Sequence, residues 1–132
     1  MTEKMLLLDT ISDSSMIPPW TVLELERDSL SDAVHSAIEC RCFDAVDVLI
    51  AGCPYVLLVD DDGLLRPDWK PCLPAWYWYS QFNENAPIAG KVLVCKEGFD
   101  SDGVADIVGL DDFDLTLLSQ ELESLKKLTG EF

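Results

Sequence analysis

The sequence predicts an α+β fold, in which an antiparallel or mixed sheet has two to three helices packed on it. β-branched runs and helical patterns do not alternate regularly along the 132 residues, which argues against parallel βαβ units. Hydrophobic residues make up 48% of the chain, and the last segment has the period of an amphipathic helix. We expect an N-terminal strand and loop over residues 1–19, and a single α+β domain over residues 20–132.

The first half of the chain is predicted to be mostly strands. A short apolar run predicts a strand at Met5–Leu8, and apolar-polar alternation predicts another at Trp20–Glu26. Two β-branched-rich runs, Phe43–Ile50 and Pro54–Val59, flank a Gly-Cys pair and predict a hairpin. A tight Asp-Gly turn and then a short strand are expected within residues 60–66.

Helices and strands alternate less regularly in the rest of the chain. Apolar residues at helical spacing predict a helix over Ser29–Cys40, with Asp32 placed as a capping-box acid. The aromatic run Ala75–Phe82 predicts a short helix or an extended turn. Two further strands are expected at Lys91–Cys95 and Val104–Leu110.

A closing amphipathic helix is predicted to begin at Asp111 and Asp112, where carboxylates suit the helix dipole. Its apolar stripe consists of Leu115, Leu118, Leu122 and Leu125. Such a stripe either packs on the sheet or holds two copies of the chain together, so a homodimer through these leucines remains an alternative.

The charge is the outlying feature of the composition. Twenty-five Asp and Glu residues oppose nine Lys and Arg residues, a formal net charge of -16. Such a chain is predicted to bind neither nucleic acid nor anionic membranes, because both need cations on the protein. It is expected to be attracted to basic clefts, although acidity also serves plain solubility.

Cysteine usage and the start of the chain predict a soluble protein with a cytoplasmic location. The chain has five cysteines: Cys40, Cys42, Cys53, Cys72 and Cys95. Their odd number and irregular spacing favour reduced thiols over a disulfide framework. Residues 1–10 lack a secretory pattern, and no apolar run approaches the length of a membrane span.

Motifs for catalysis, metals or cofactors are not found in the sequence. His35 is the single histidine and has no recognisable nucleophile motif beside it, and Cys40-x-Cys42 lacks a second cysteine pair for zinc. The acidic turn at residues 60–63 lacks the alternation of an EF-hand. We therefore predict no catalytic residue, no metal, no cofactor and no enzymatic activity. A hydrolase that uses paired acids and a metal is the least supported alternative.

An aromatic cluster at residues 69–82 has few basic neighbours, so base stacking is not expected. The consecutive rings cannot all point inward on a helix, and exposed rings are typical of interaction hot spots. Three of them are predicted to anchor a partner: Trp76, Trp78 and Tyr79.

An acidic run without any Lys or Arg extends from Glu97 to Leu125. Spaced carboxylates on a folded surface imitate the phosphate array of duplex DNA, and the competing interpretation is a solvated face. The residues predicted to form a partner-binding acidic face are Asp100, Asp102, Asp106, Asp111, Asp112 and Asp114.

The middle of the chain resembles a domain-of-unknown-function family of small phage, plasmid and mobile-element proteins. Leu57–Leu65 is similar to the family's valine-acid-acid-Gly hairpin, Ile88–Val94 to its Ile-x-Gly-x-Val-Leu-Val strand, and Asp106–Leu110 to its closing element. A Gly-Gly pair common in the family is replaced by residues 39–42. The resemblance implies no catalytic residues, and it implies an anti-defence context.

Together these observations predict an acidic binding protein of a phage or mobile element that inhibits a host defence complex, of the anti-CRISPR or anti-restriction type. Its partner would be a host protein with a basic nucleic-acid-binding cleft, which the chain occupies by nucleic-acid mimicry. The alternative is a self-associating structural or regulatory module without inhibitor activity.

Overall fold

The computed structural model describes residues 2–80, 87–99 and 102–129, and its strands form one antiparallel sheet of six strands. The strand order is β2-β1-β5-β4-β3, and β6 pairs with the second half of β5. This confirms the α+β class with an antiparallel sheet. The strands are β1 (Thr2–Leu8), β2 (Thr21–Glu26), β3 (Phe43–Ile50), β4 (Cys53–Asp60), β5 (Val92–Phe99) and β6 (Ala105–Val108).

In the part of the chain that the structure describes, three α-helices connect and cover these strands. They are α1 (Leu30–Ala37), α2 (Leu73–Tyr79) and α3 (Asp112–Leu128), and two short 3-10 turns lie at Arg27–Ser29 and Gly63–Leu65. The C-terminal helix is thus confirmed at the predicted place. No helix among the described residues is both long enough and apolar enough to span a membrane.

Helices pack on both faces of the sheet. On one face, which we call the α2/α3 face, Leu57 and Val94 pack with Trp78 and Leu118. On the opposite face, the α1 face, the neighbouring strand residues pack with α1, among them Leu58, Leu93 and Val34. Because successive strand residues point to opposite faces, the continuously buried residues 55–58 of β4 and 92–95 of β5 are covered on both sides and form the centre of the core.

The N-terminal strand lies inside the sheet. Leu6 pairs with Val22 on β2 and with Val94 on β5, and Met5 and Leu6 are at most 1% exposed. The backbone N–H of Leu110 also donates to the Lys4 carbonyl at 2.7 Å. Residues 1–19 therefore contribute a central strand to the sheet that residues 20–132 complete.

The strand predicted at residues 64–66 is wrong, because this segment forms the 3-10 turn Gly63–Leu65. Gly63 does not adopt a positive φ. A side chain at this position would lie 2.8 Å from the Ala89 carbonyl oxygen, so the glycine is needed for close packing. Arg66 then turns back and donates through Nε to Oδ2 of Asp60 at 2.9 Å.

The predicted capping box at Ser29 and Asp32 is also wrong. The Ser29 side chain makes no capping hydrogen bond, because the preceding 3-10 turn already leads into α1. A capping box forms instead at the start of α3. Oδ1 of Asp111 accepts from the N–H of Asp114 at 2.8 Å, and Oδ2 of Asp114 accepts from the N–H of Asp111 at 3.0 Å.

Candidate functional site

The predicted acidic face does not exist as one surface of free carboxylates. Asp114 is 5% exposed, and Asp106 is bound by the guanidinium of Arg27. Asp111 caps α3 and lies 3.8 Å from the ammonium of Lys96. Asp102 and Asp112 are exposed, and Asp100 lies outside the described residues. Lys96 on β5 and Arg27 in the first 3-10 turn thus neutralise carboxylates of the acidic run, which contains no Lys or Arg itself.

Asp114 is the centre of a buried polar network. The Tyr55 hydroxyl donates to its Oδ1 at 2.8 Å, and the Lys96 ammonium lies 2.7 Å from its Oδ2. Burial disfavours the charged carboxylate, but Lys96, the Asp111 N–H and the Tyr55 hydroxyl outweigh that cost and hold the pKa of Asp114 below its ordinary value. The network joins β4, β5 and α3, so Asp114 stabilises the fold and is not available to a partner.

The predicted aromatic anchors are only partly accessible. Trp78 is 2% exposed and belongs to the core, which contradicts its role as an anchor. Trp76 and Tyr79 are partly exposed, whereas Tyr77, which was not selected, is 51% exposed. The reason is the helical period of α2, which points Trp78 and Ala75 at the sheet and Tyr77 at solvent.

The leucine stripe of α3 is part of the core. Leu118 and Leu122 are fully buried, Leu125 is 7% exposed, and Leu115 packs against the same cluster. A folded chain therefore does not present this stripe to a second copy, and the homodimer through these leucines is contradicted.

Single residues considered for chemistry have structural contacts. The His35 ring packs edge-to-face on Phe43, with centroids 5.0 Å apart. All five cysteines are free thiols; Cys42 is exposed, and burial raises the pKa of the Cys72 and Cys95 thiols to about 12. Among the described residues, no three His, Cys, Asp or Glu side chains are grouped to hold a metal ion.

A polar cleft of about 290 Å³ lies between the end of α1 and residues 60–70. Its charged groups largely pair with one another: Arg66 binds Asp60, and Lys91 lies 2.7 Å from Glu39. The bond from Lys91 lowers the pKa of Glu39, and the same contact raises the pKa of Lys91. These pairs connect α1 to the ends of β4 and β5, so the charges of the cleft are largely used within the fold.

The α1 face of the sheet is covered over only part of its width. Helix α1 packs with a cluster over β1, β2 and the middle of β5, through residues such as Met5, Leu25 and Leu93. Leu58 of β4 also belongs to this cluster, and Val56 and Ile107 lie at its border. No described helix covers the remainder, which we call the open half-face. It is formed by alternate residues of four strands: Ala45, Asp47 and Leu49 (β3), Pro54 and Val56 (β4), Glu97 and Phe99 (β5), and Ala105 and Ile107 (β6).

Two shallow cavities of about 410 and 420 Å³ adjoin on the open half-face, and both are lined by Asp47, Val56 and Glu97. Phe99 closes one end and is 73% exposed, although it is a large aromatic residue in a strand. The second cavity shares Asp106 and Ile107 with a third one, of about 340 Å³, beside the start of α1. The result is a furrow with an apolar floor and acidic margins.

The carboxylates of the open half-face are uncompensated. Within residues 2–80, 87–99 and 102–129, neither the Asp47 carboxylate nor the Glu97 carboxylate has an ion-pair or hydrogen-bond partner. The nearby cations are already engaged: Lys96 with Asp114, and Arg27 with Asp106 and the Ile107 carbonyl. The furrow is therefore suited to a cationic ligand that also presents apolar surface.

The sequence contained a signal for this surface that the prediction missed. Ending the predicted strand at Cys95 left Glu97 and Phe99 outside it, but the alternation Leu93, Cys95, Glu97, Phe99 continues through β5 to its last residue. Read to its end, the alternation puts both side chains on one face.

Comparison with family models, with curated proteins and with solved structures found no match to this chain. The resemblance to a mobile-element family therefore stays a prediction. The candidate site rests on geometry and charge alone.

Proposed function

We propose that the protein is an acidic binding protein that attaches to a basic protein partner through the open half-face. The observation that carries the proposal is the pair of uncompensated carboxylates, Asp47 and Glu97, beside an apolar floor and the exposed ring of Phe99. Association of this kind combines electrostatic steering with an aromatic anchor.

The charge of the whole chain supports a basic partner. At a net charge of -16, long-range attraction to a positively charged surface accelerates association, and a second acidic protein is repelled. Nucleic acid is disfavoured for the same reason, since the chain offers few cations and most of those described are paired with carboxylates.

The role that fits such a partner is inhibition of a host nucleic-acid-handling protein in the cytoplasm, of the anti-CRISPR or anti-restriction type. Basic clefts that bind a phosphate backbone accept an acidic protein in place of nucleic acid. In this proposal the acids that compete with nucleic acid are Asp47 and Glu97 on the open half-face, with exposed acids such as Asp28 at its margin. The protein acts by occupying the cleft, without catalysis.

The test begins with capture from host lysate on the immobilised protein, followed by a competition assay on each captured species. We expect a basic nucleic-acid-binding protein that elutes as salt is raised, and whose binding to its own nucleic acid falls when this protein is added. A captured partner that still binds nucleic acid fully at saturating concentrations of this protein contradicts the inhibitor role.

A further inference from the structure

Strand β3 is one edge of the sheet, and the geometry of its hairpin decides which backbone groups face outward. Ile50 pairs with Cys53 across the two-residue loop Ala51-Gly52, whose φ angles are +52° and +79°. This is the conformation of a type I′ turn, in which the flanking residues exchange both backbone hydrogen bonds. Hydrogen-bonded pairs then recur at every second residue of β3.

Ile50 begins this alternation, so the backbone groups of Val48 and Val46 also bond to β4. The backbone groups of the intervening residues, Leu49, Asp47 and Ala45, point away from the sheet. One hydrogen bond supports this assignment: the N–H of Ala45 donates to Oδ1 of Asp44 at 2.8 Å instead of to β4. No described residue forms a hydrogen bond with the backbone of Asp47 or Leu49 on the outer side. Asp47 and Leu49 therefore offer outward-facing N–H and C=O groups along one edge, and Ala45 offers its carbonyl, since its N–H is bound by Asp44.

The same three residues belong to the open half-face. In a β-strand the side chain and the backbone groups of a residue are fixed relative to each other. Ala45, Asp47 and Leu49 therefore present both an outward edge and a side chain on the open half-face, and Ala45 and Asp47 line the furrow. A strand added at this edge would place its own alternate side chains beside these three, at roughly 5 Å between facing Cβ atoms.

We propose that the edge of β3 accepts an extended basic segment of the partner as a seventh strand, antiparallel to β3, so that the segment residues opposite Ala45, Asp47 and Leu49 point their N–H groups at β3. This inference rests on the proposed function and adds its mode of recognition. Backbone hydrogen bonds to Asp47, to Leu49 and to the Ala45 carbonyl hold the segment. A Lys or Arg faces Asp47, and apolar residues two positions to either side face Ala45 and Leu49.

Charge argues for a basic segment over a second copy of this chain. Two β3 edges brought together would juxtapose Asp44 and Asp47 from each copy, and each copy has a net charge of -16. Two other strands have an unpaired side and are less suited: β2 has six residues against eight in β3 and its α1 face is covered by α1, and β6 has four residues.

The test uses a seven-residue peptide with blocked termini, Lys-Val-Thr-Lys-Thr-Val-Lys, and two N-methylated forms of it. One form is methylated at the central Lys and both Val, whose N–H groups face β3 in the proposed register. The other is methylated at both Thr, whose N–H groups face away. Binding to the full chain is followed by amide NMR shifts.

We expect shifts at Ala45, Asp47 and Leu49, with affinity reduced about tenfold or more by the first methylation pattern and little by the second. Equal weakening by both patterns overturns strand addition, and so does the absence of shifts at β3 with millimolar peptide. Peptide binding on the furrow that is insensitive to methylation overturns strand addition but leaves recognition of a basic partner standing. A β3-mediated dimer in sedimentation at high protein concentration also contradicts the proposal.

Discussion

The hydroxyl of Tyr55 on β4 donates a hydrogen bond of 2.8 Å to Oδ1 of Asp114 in the first turn of α3. Both side chains are buried, at 2% and 5% exposure. Asp114 thereby closes the capping box of α3, binds Lys96 on β5 and fixes the helix on the α2/α3 face. An acid in the middle of the acidic run thus stabilises the fold.

Replacement of Tyr55 by Phe removes this hydrogen bond and leaves Asp114 with one donor fewer. We expect Tyr55→Phe to lower the free energy of unfolding by about 1–2 kcal/mol, since the ring still fills its site. Urea denaturation followed by circular dichroism measures the change. Tyr77→Phe is the matched control, because the Tyr77 ring is exposed, and it should change stability by less than about 0.5 kcal/mol. Equal effects of the two substitutions would contradict the role of the network.

Acid should weaken the network at Asp114. Its pKa in the folded chain lies below the ordinary value of 3.8, so its contribution to stability is fully present above that pH and is lost as the pH falls through the folded-state pKa. We expect wild type to lose more stability than Asp114→Asn between about pH 7 and about pH 3. Other carboxylates titrate in both proteins, so the difference between the two isolates Asp114. Parallel losses would show that Asp114 is not held ionised.

The β3–β4 turn contains a strained residue that a substitution can relieve. Ala51 has a φ of +52°, which L-residues other than Asn and Asp rarely adopt. Ala51→Asn creates the Asn-Gly pair preferred in type I′ turns, and we expect it to raise the unfolding free energy by about 0.5–1 kcal/mol. Gly52→Ala should destabilise by about 1 kcal/mol through backbone strain alone, since no atom lies within 4 Å of the added Cβ. Thermal melts of the two variants should move in opposite directions.

Phe99 is expected to matter for binding and not for folding. Because the ring is 73% exposed, Phe99→Ala should change stability by less than about 0.5 kcal/mol and weaken partner affinity by about tenfold. Leu65→Ala is the control, since Leu65 is 80% exposed on a 3-10 turn outside the furrow. Calorimetry measures the affinity of each variant for the captured partner. Equal affinities of the two variants would show that Phe99 does not contribute to partner binding.

The sequence predicted elements where local pattern decides them. The alternation of Trp20–Glu26 and the leucine period of α3 were sufficient for a strand and a helix, and the acids before α3 indicated its start. The turn at residues 60–66 was mispredicted because Gly63 is required by the approach of Ala89, a contact between residues distant in the sequence.

The site predictions for Asp114 and Trp78 are wrong for a related reason. Whether Asp106 and Asp114 are free depends on Arg27 and Lys96, which come from other elements and are absent from the acidic run itself. Likewise, the exposure of Trp78 depends on which side of α2 meets the sheet. The number of charges or rings in a stretch of sequence does not show which of them contact residues from other elements.

The central claim is that the acids of the open half-face, and not acidity in general, bind the partner. Its most direct test compares Asp47→Asn/Glu97→Gln with Glu24→Gln/Glu26→Gln, which removes the same two charges from exposed positions on β2. With affinity for the captured partner measured at one salt concentration, we predict a loss of about tenfold or more for the first pair and about twofold or less for the second. Equal losses in both double variants would contradict the claim, since they would show that the partner responds to net charge alone.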